Sequence, residues 1–87
     1  MYSIVNSPKI DAIFRKLSKK NLNQLETITK KLEKIVENPH RFKPLSNIMK
    51  GLRRVHFGSY VLVYSIDEKT KTVVLEDYDH HDNIYRK

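Results

Sequence analysis

The spacing of apolar residues changes once along this 87-residue chain, and that change decides what it can fold into. Up to Asn38-Pro39 the apolar positions recur every three or four residues. Ile10, Ile13, Phe14 and Leu17 form one stripe, and Leu22, Leu25, Ile28, Leu32, Ile35 and Val36 form a second. That is the period of helices with a single buried face. From Leu52 the period becomes two, as a pleated strand requires. Helices grouped in one part of a chain and strands in another imply an α+β architecture. Here a helical hairpin should pack on one face of a mostly antiparallel sheet.

Local signals set the boundaries. Tyr2-Ser3-Ile4-Val5 reads as a short N-terminal strand. Ser7 is a helix N-cap with Pro8 at the first helical position. Asn21 caps a second helix, with Gln24 three residues on. So short a link makes the pair an antiparallel helical hairpin. Pro39 ends the second helix. Residues 40–50 read as a loop carrying Arg41, Lys43 and Lys50. A three-stranded antiparallel meander comes next. Its strands are Leu52 to Phe57, Tyr60 to Ile66 and Thr72 to Tyr78, joined at Gly58-Ser59 and over Asp67 to Lys71. Arg54 and His56 share one strand face, and Arg53, Val55 and Phe57 the other. The face away from the helices is expected to be open to solvent, with Arg54 and His56 on it.

The length suits one domain over residues 1–87. The chain has no cysteine, which removes disulfides and thiolate metal sites. No signal-like or membrane-spanning run appears, so a cytoplasmic location is expected and no membrane contact. Charge is uneven. Residues 1–54 hold 13 Lys/Arg against 4 Asp/Glu, and residues 55–87 hold 4 against 6. A basic surface favours a polyanion or an acidic protein partner. Glu76, Asp77, Asp79 and Asp82 would repel a phosphate unless local cations or histidines engage them.

The groups able to do chemistry lie in the last third. Cutting RNA without a metal needs a base for the 2′-hydroxyl, cations for the charged transition state and an acid for the leaving 5′-oxygen. Imidazole suits proton transfer near neutrality, and guanidinium suits phosphate. Arg54, His56, His81 and Tyr85 are the candidate catalytic set. Lys50, Arg53, Tyr60 and His80 are candidates for holding substrate. These groups meet if the last strand neighbours the Arg54 strand, or if the C-terminal segment folds back. Asp79-His80-His81-Asp82 also suggests a metal, but adjacent residues of an extended strand point to opposite faces. No helical H-x-x-x-H accompanies them, so no metal site is expected. No Gly-rich phosphate loop or nucleophile elbow is present, and no cofactor is implied.

The element order, the Asn38-Pro39 stop, Arg54-Val55-His56-Phe57-Gly58-Ser59-Tyr60, Leu62-Val63-Tyr64 and the closing His80 to Tyr85 segment together resemble the RelE/ParE toxin superfamily. The resemblance runs over nearly the whole chain. It implies a type II toxin that cleaves mRNA in the ribosomal A site, with no cofactor. The implied partner is an acidic, partly disordered RelB-like antitoxin. The free toxin would be a monomer and the toxin–antitoxin complex a heterotetramer. In that pattern Arg54 matches a phosphate-binding position, and His56 stands where a second cation is usual. His81 takes the approximate place of a catalytic arginine, and Tyr85 matches the terminal tyrosine. Many members carry an arginine directly after the tyrosine, where this chain has Val61. The departures resemble a histidine-based version such as that of YoeB- or YafQ-like toxins. A ParE-like inhibitor of DNA gyrase, or a non-catalytic RNA-binding module, shares the same fold signature.

Overall fold

The computed structural model describes residues 1–44 and 51–85. Helix α1 (Pro8–Lys20) begins where the Ser7 hydroxyl accepts the Ile10 amide at 3.2 Å. It ends at Asn21, whose N–H donates to the Leu17 carbonyl at 2.8 Å. The Asn21 side chain then accepts the Gln24 amide at 3.2 Å and opens α2 (Leu22–Glu37). One residue thus satisfies orphan backbone groups of both helices.

The sheet has strands β1 (Ser3–Asn6), β2 (Leu52–Phe57), β3 (Tyr60–Asp67) and β4 (Thr72–His80), in the order β1-β4-β3-β2. β1 runs parallel to β4, and the other two pairings are antiparallel. The α+β class and the meander are as expected. Three boundaries differ. The expected loop after α2 opens with a 3₁₀ turn at Pro39–Arg41, and Pro44 bridges to Arg53 on the outer edge of β2. β4 continues past Tyr78 to His80. The chain then turns into a short helix, α3 (His81–Tyr85), rather than continuing as extended backbone.

The helices cover one face of the sheet. Ile10, Ile28 and Ile35 pack with Val55, Leu62, Tyr64, Val73, Leu75 and Tyr78 in a single buried cluster. A strict two-residue alternation would put Leu75 and Tyr78 on opposite faces. A β-bulge corrects this: Val63 pairs with Asp77 but Tyr64 with Leu75, so one extra residue of β4 resets the alternation. The opposite face is not open. Val61 and Val63 form a second small core there with Ile84 of α3, flanked by Leu52. The expected solvent-exposed face is therefore partly roofed by the folded-back C-terminal segment. Among the described residues, no helix is long and apolar enough to cross a membrane.

Tyr64 is fully buried, and its hydroxyl donates to the Pro39 carbonyl at 2.5 Å. That bond ties the 3₁₀ turn to the sheet. Burial pushes the phenol up to about 12, partly offset by the Arg53 guanidinium. A raised phenol contributes stability that is complete below pH 10 and lost as pH climbs toward 12. Tyr64→Phe removes a buried hydrogen bond, so urea unfolding at neutral pH should show a loss of about 0.5–1.5 kcal/mol. The variant should also lose less stability between those pH values than the parent. An unchanged urea midpoint would contradict this account.

Candidate active corner and basic groove

Arg54 and His56 lie two residues apart on β2, opposite Val63 and Val61. They therefore occupy the face roofed by α3. Arg54 Nη1 stands 2.7 Å from His56 Nε2. A guanidinium only donates, so Nε2 is the acceptor and its lone pair points into the cluster. The Tyr85 hydroxyl approaches the same nitrogen at 3.3 Å. The His56 and Tyr85 rings stack with centroids 6.4 Å apart, and the Arg54 guanidinium carbon lies 5.8 Å from the Tyr85 ring. β4 does not neighbour β2, so strand pairing does not bring the tail to Arg54. The fold-back of α3 does, through Ile84 seated on Val61 and Val63.

The remaining candidates separate from this trio. Among the described residues, the polar and ring contacts of His81 run to Asp82, 3.0 Å from Nδ1, and to His80, whose ring centroid is 4.4 Å away. His81 stands over the β2–β3 turn, where its amide donates to the Ser59 carbonyl at 2.8 Å. His80 Nδ1 accepts the Asp82 amide at 3.2 Å, and its ring meets Tyr60 edge-on at 5.8 Å. Tyr60 stacks on Tyr78 and keeps an exposed face. Arg53, expected among the substrate-holding residues, lies apart from the trio. It pairs opposite Tyr64, on the helix side, and its guanidinium donates to the Phe42 carbonyl at 2.6 Å and the His40 carbonyl at 3.3 Å. It fastens the segment after α2 rather than facing the trio. Lys50 lies outside the described residues.

A groove of about 370 Å³ runs along the β2 edge. It is lined by Lys31, Arg41, Phe42 and Lys43 together with Arg54, Val55 and His56. Among the described residues, no ion pair involves Lys31, Arg41, Lys43 or Arg54. Three acidic side chains of β4 and α3 are engaged elsewhere. Asp77 pairs with Lys9 at 3.0 Å, Glu76 accepts the Ser65 hydroxyl at 2.8 Å, and Asp82 sits between two imidazoles. A lining with four cations and no carboxylate suits an anion. Residue order does not single out Lys31, which stands three residues after Ile28 and four before Ile35, at the half-buried flank of the apolar stripe. It shows Arg41 and Lys43 only as loop cations.

Residues 8–85 match the family described as the ParE toxin of type II toxin–antitoxin system, parDE. A Methanocaldococcus jannaschii protein named "Putative toxin RelE4" is 48% identical over 88 residues, covering 100% of this chain and 94% of that protein. The chain belongs to the RelE/ParE family of type II toxins. Solved structures agree with the fold. The toxin–antitoxin complex RelBE2 of Mycobacterium tuberculosis matches with a TM-score of 0.77 at 26% identity, over 91% of this chain and 96% of that one. The intact Escherichia coli RelBE complex matches with a TM-score of 0.80 at 21% identity, over 92% and 96%.

Within this toxin, the position where the resemblance expects an arginine holds Val61, fully buried under Ile84. The site gives up that cation, and the apolar seat for α3 stands in its place. Ile84→Ala should cost about 2–5 kcal/mol if α3 stays docked, and less if it detaches. Detachment carries Tyr85 away from His56 and is the expected outcome, read as loss of the nuclear Overhauser contacts between the two rings. Persistence of those contacts in a folded variant would refute the role given to Ile84.

Proposed function

We propose that this toxin is an endoribonuclease that cleaves mRNA on the ribosome by attack of the ribose 2′-oxygen on the adjacent phosphorus. The observation that carries the reading is the convergence of Arg54, His56 and Tyr85 at the mouth of a basic groove. His56 Nε2 takes the 2′-hydroxyl proton as the O2′–P bond forms. Arg54 stabilises charge on the non-bridging oxygens. The P–O5′ bond breaks, and the 5′-oxygen receives a proton, leaving a 2′,3′-cyclic phosphate. Tyr85 lies nearest to His56 and is the better placed donor for that proton, which moves the second proton role from His81 to Tyr85. DNA lacks the attacking hydroxyl and is not a substrate.

Lys31, Arg41 and Lys43 extend the phosphate track away from the scissile bond. The partner that silences the toxin is an acidic, partly disordered antitoxin of RelB type. The neighbours solved as toxin–antitoxin complexes support this, as does a groove whose cations form no ion pair among the described residues. The free toxin is a monomer, and the complex a heterotetramer.

Two experiments test this reading. Induced expression of His56→Ala or Tyr85→Phe should relieve growth arrest and remove cleavage ends mapped on cellular mRNA, whereas His81→Ala should retain most of both. Full toxicity of a folded His56→Ala protein would sink the assignment. In RNA-binding titrations of the cleavage-defective protein, Lys31→Gln and Lys43→Gln should each lower the log–log salt slope by about 0.7. An unchanged slope removes the groove from the RNA track.

A second reading has its own basis, since the matching family is described as ParE toxin. A ParE-like toxin would inhibit DNA gyrase through protein contact alone. Inhibition of gyrase supercoiling by the His56→Ala protein, with intact mRNA in arrested cells, would establish that reading instead.

A further inference from the structure

The turn from β4 into α3 brings together three side chains that the Arg54, His56 and Tyr85 corner does not use. His80, His81 and Asp82 each offer one donor atom, and these atoms lie within 4.8 Å of one another. The expectation that adjacent residues here must diverge holds for extended backbone only. β4 ends at His80 and α3 begins at His81, so both imidazoles swing to the same side, with ring centroids 4.4 Å apart.

Asp82 is placed between them. Its Oδ1 stands 3.0 Å from His81 Nδ1 and its Oδ2 3.6 Å from His80 Nδ1. The backbone under the cluster is braced. The Asp79 carboxylate accepts the His80 amide at 2.7 Å and the Asn83 side chain at 3.1 Å, and the His81 amide donates to Ser59. The His80 ring rests against Tyr60. All three side chains remain partly open to solvent, with 38%, 46% and 58% of their surface exposed. They also sit within the acidic run Glu76, Asp77, Asp79, Asp82 of an otherwise basic chain.

We infer that His80, His81 and Asp82 form a binding site for one borderline transition-metal dication, with Zn²⁺ the representative ion. Two imidazoles and one carboxylate select zinc-like ions over Mg²⁺ or Ca²⁺, which take oxygen donors. Metal–ligand bonds of ~2.0–2.2 Å put donors about 3.3 Å apart in a tetrahedral site. Partly exposed side chains close that gap by rotation, and water fills the fourth position. The ion clamps the first turn of α3, a helix of only five residues whose last member is Tyr85. The site stands independently of the ribonuclease reading, because its occupant is recognised by the turn and not by RNA.

The test uses the full chain free of any histidine tag, with ZnCl₂ in titration calorimetry and CoCl₂ in absorption spectroscopy. One equivalent should bind. His80→Asn, His81→Asn and Asp82→Asn should each weaken binding more than ~10-fold. His40→Asn and His56→Asn should leave it unchanged, because those imidazoles lie at Glu68 and at Arg54. Zn²⁺ should raise the thermal midpoint of the parent chain and not of His81→Asn. If a variant fails to fold, ring-proton NMR of the parent decides. Zn²⁺-induced shifts at His80 and His81 alone uphold the site, and shifts at His40 or His56 overturn it. No uptake by the parent, or equal competition by Mg²⁺, also overturns it.

Discussion

The packing of Ile84 onto Val61 and Val63 is the contact on which the corner formed by Arg54, His56 and Tyr85 depends. It is small and lies on the opposite side of the sheet from the main core. Without it, nothing in the strand order carries the C-terminus toward β2, because β3 stands between β4 and β2. With it, α3 crosses back over β3 and sets Tyr85 beside His56 and Arg54. A fully buried aliphatic contact thus fixes the geometry of three polar groups that are themselves partly or largely exposed. Rigid positioning of this kind is what turns a set of reactive side chains into a site.

Electrostatics complete the arrangement by division of labour. Each acidic side chain near the corner is held by a local partner, while the cations along the β2 edge are left to face solvent. Arg53 shows how position outranks residue type. One step along the strand from Arg54, it points to the helix side and serves as a fastener for two carbonyls. The same strand therefore holds one guanidinium against backbone carbonyls and sets the other beside His56 and Tyr85.

Much of the fold can be read from residue order. The two helical stripes, the Ser7 and Asn21 caps and the switch to a two-residue period at Leu52 correspond to α1, α2 and the meander. Alternation alone pairs Arg54 with His56, and the two side chains do touch. Two features are not legible in this way. The helix at His81–Tyr85 is a single turn whose stability comes from Ile84 docking on a distant strand, which local propensity does not encode. The groove is assembled from a helix lysine, the segment at 41–43 and β2, so its charges are scattered in sequence and meet only in space. The bulge opposite Val63 and Tyr64 is hidden for a related reason. It returns Tyr78 to the helix side, a demand set by tertiary packing.

Asn21 joins α1 to α2 with nothing to spare. Asn21 is a single non-helical residue, so one residue more or less there changes both the direction and the phase of α2. A change of length at that joint would swing Ile28 and Ile35 off the sheet, whereas another capping side chain in place of the asparagine would leave them seated. The hairpin therefore tolerates drift in chemistry at its tip but not in chain length, and the orientation of the lysine-bearing helix over the groove is inherited from that one rigid joint.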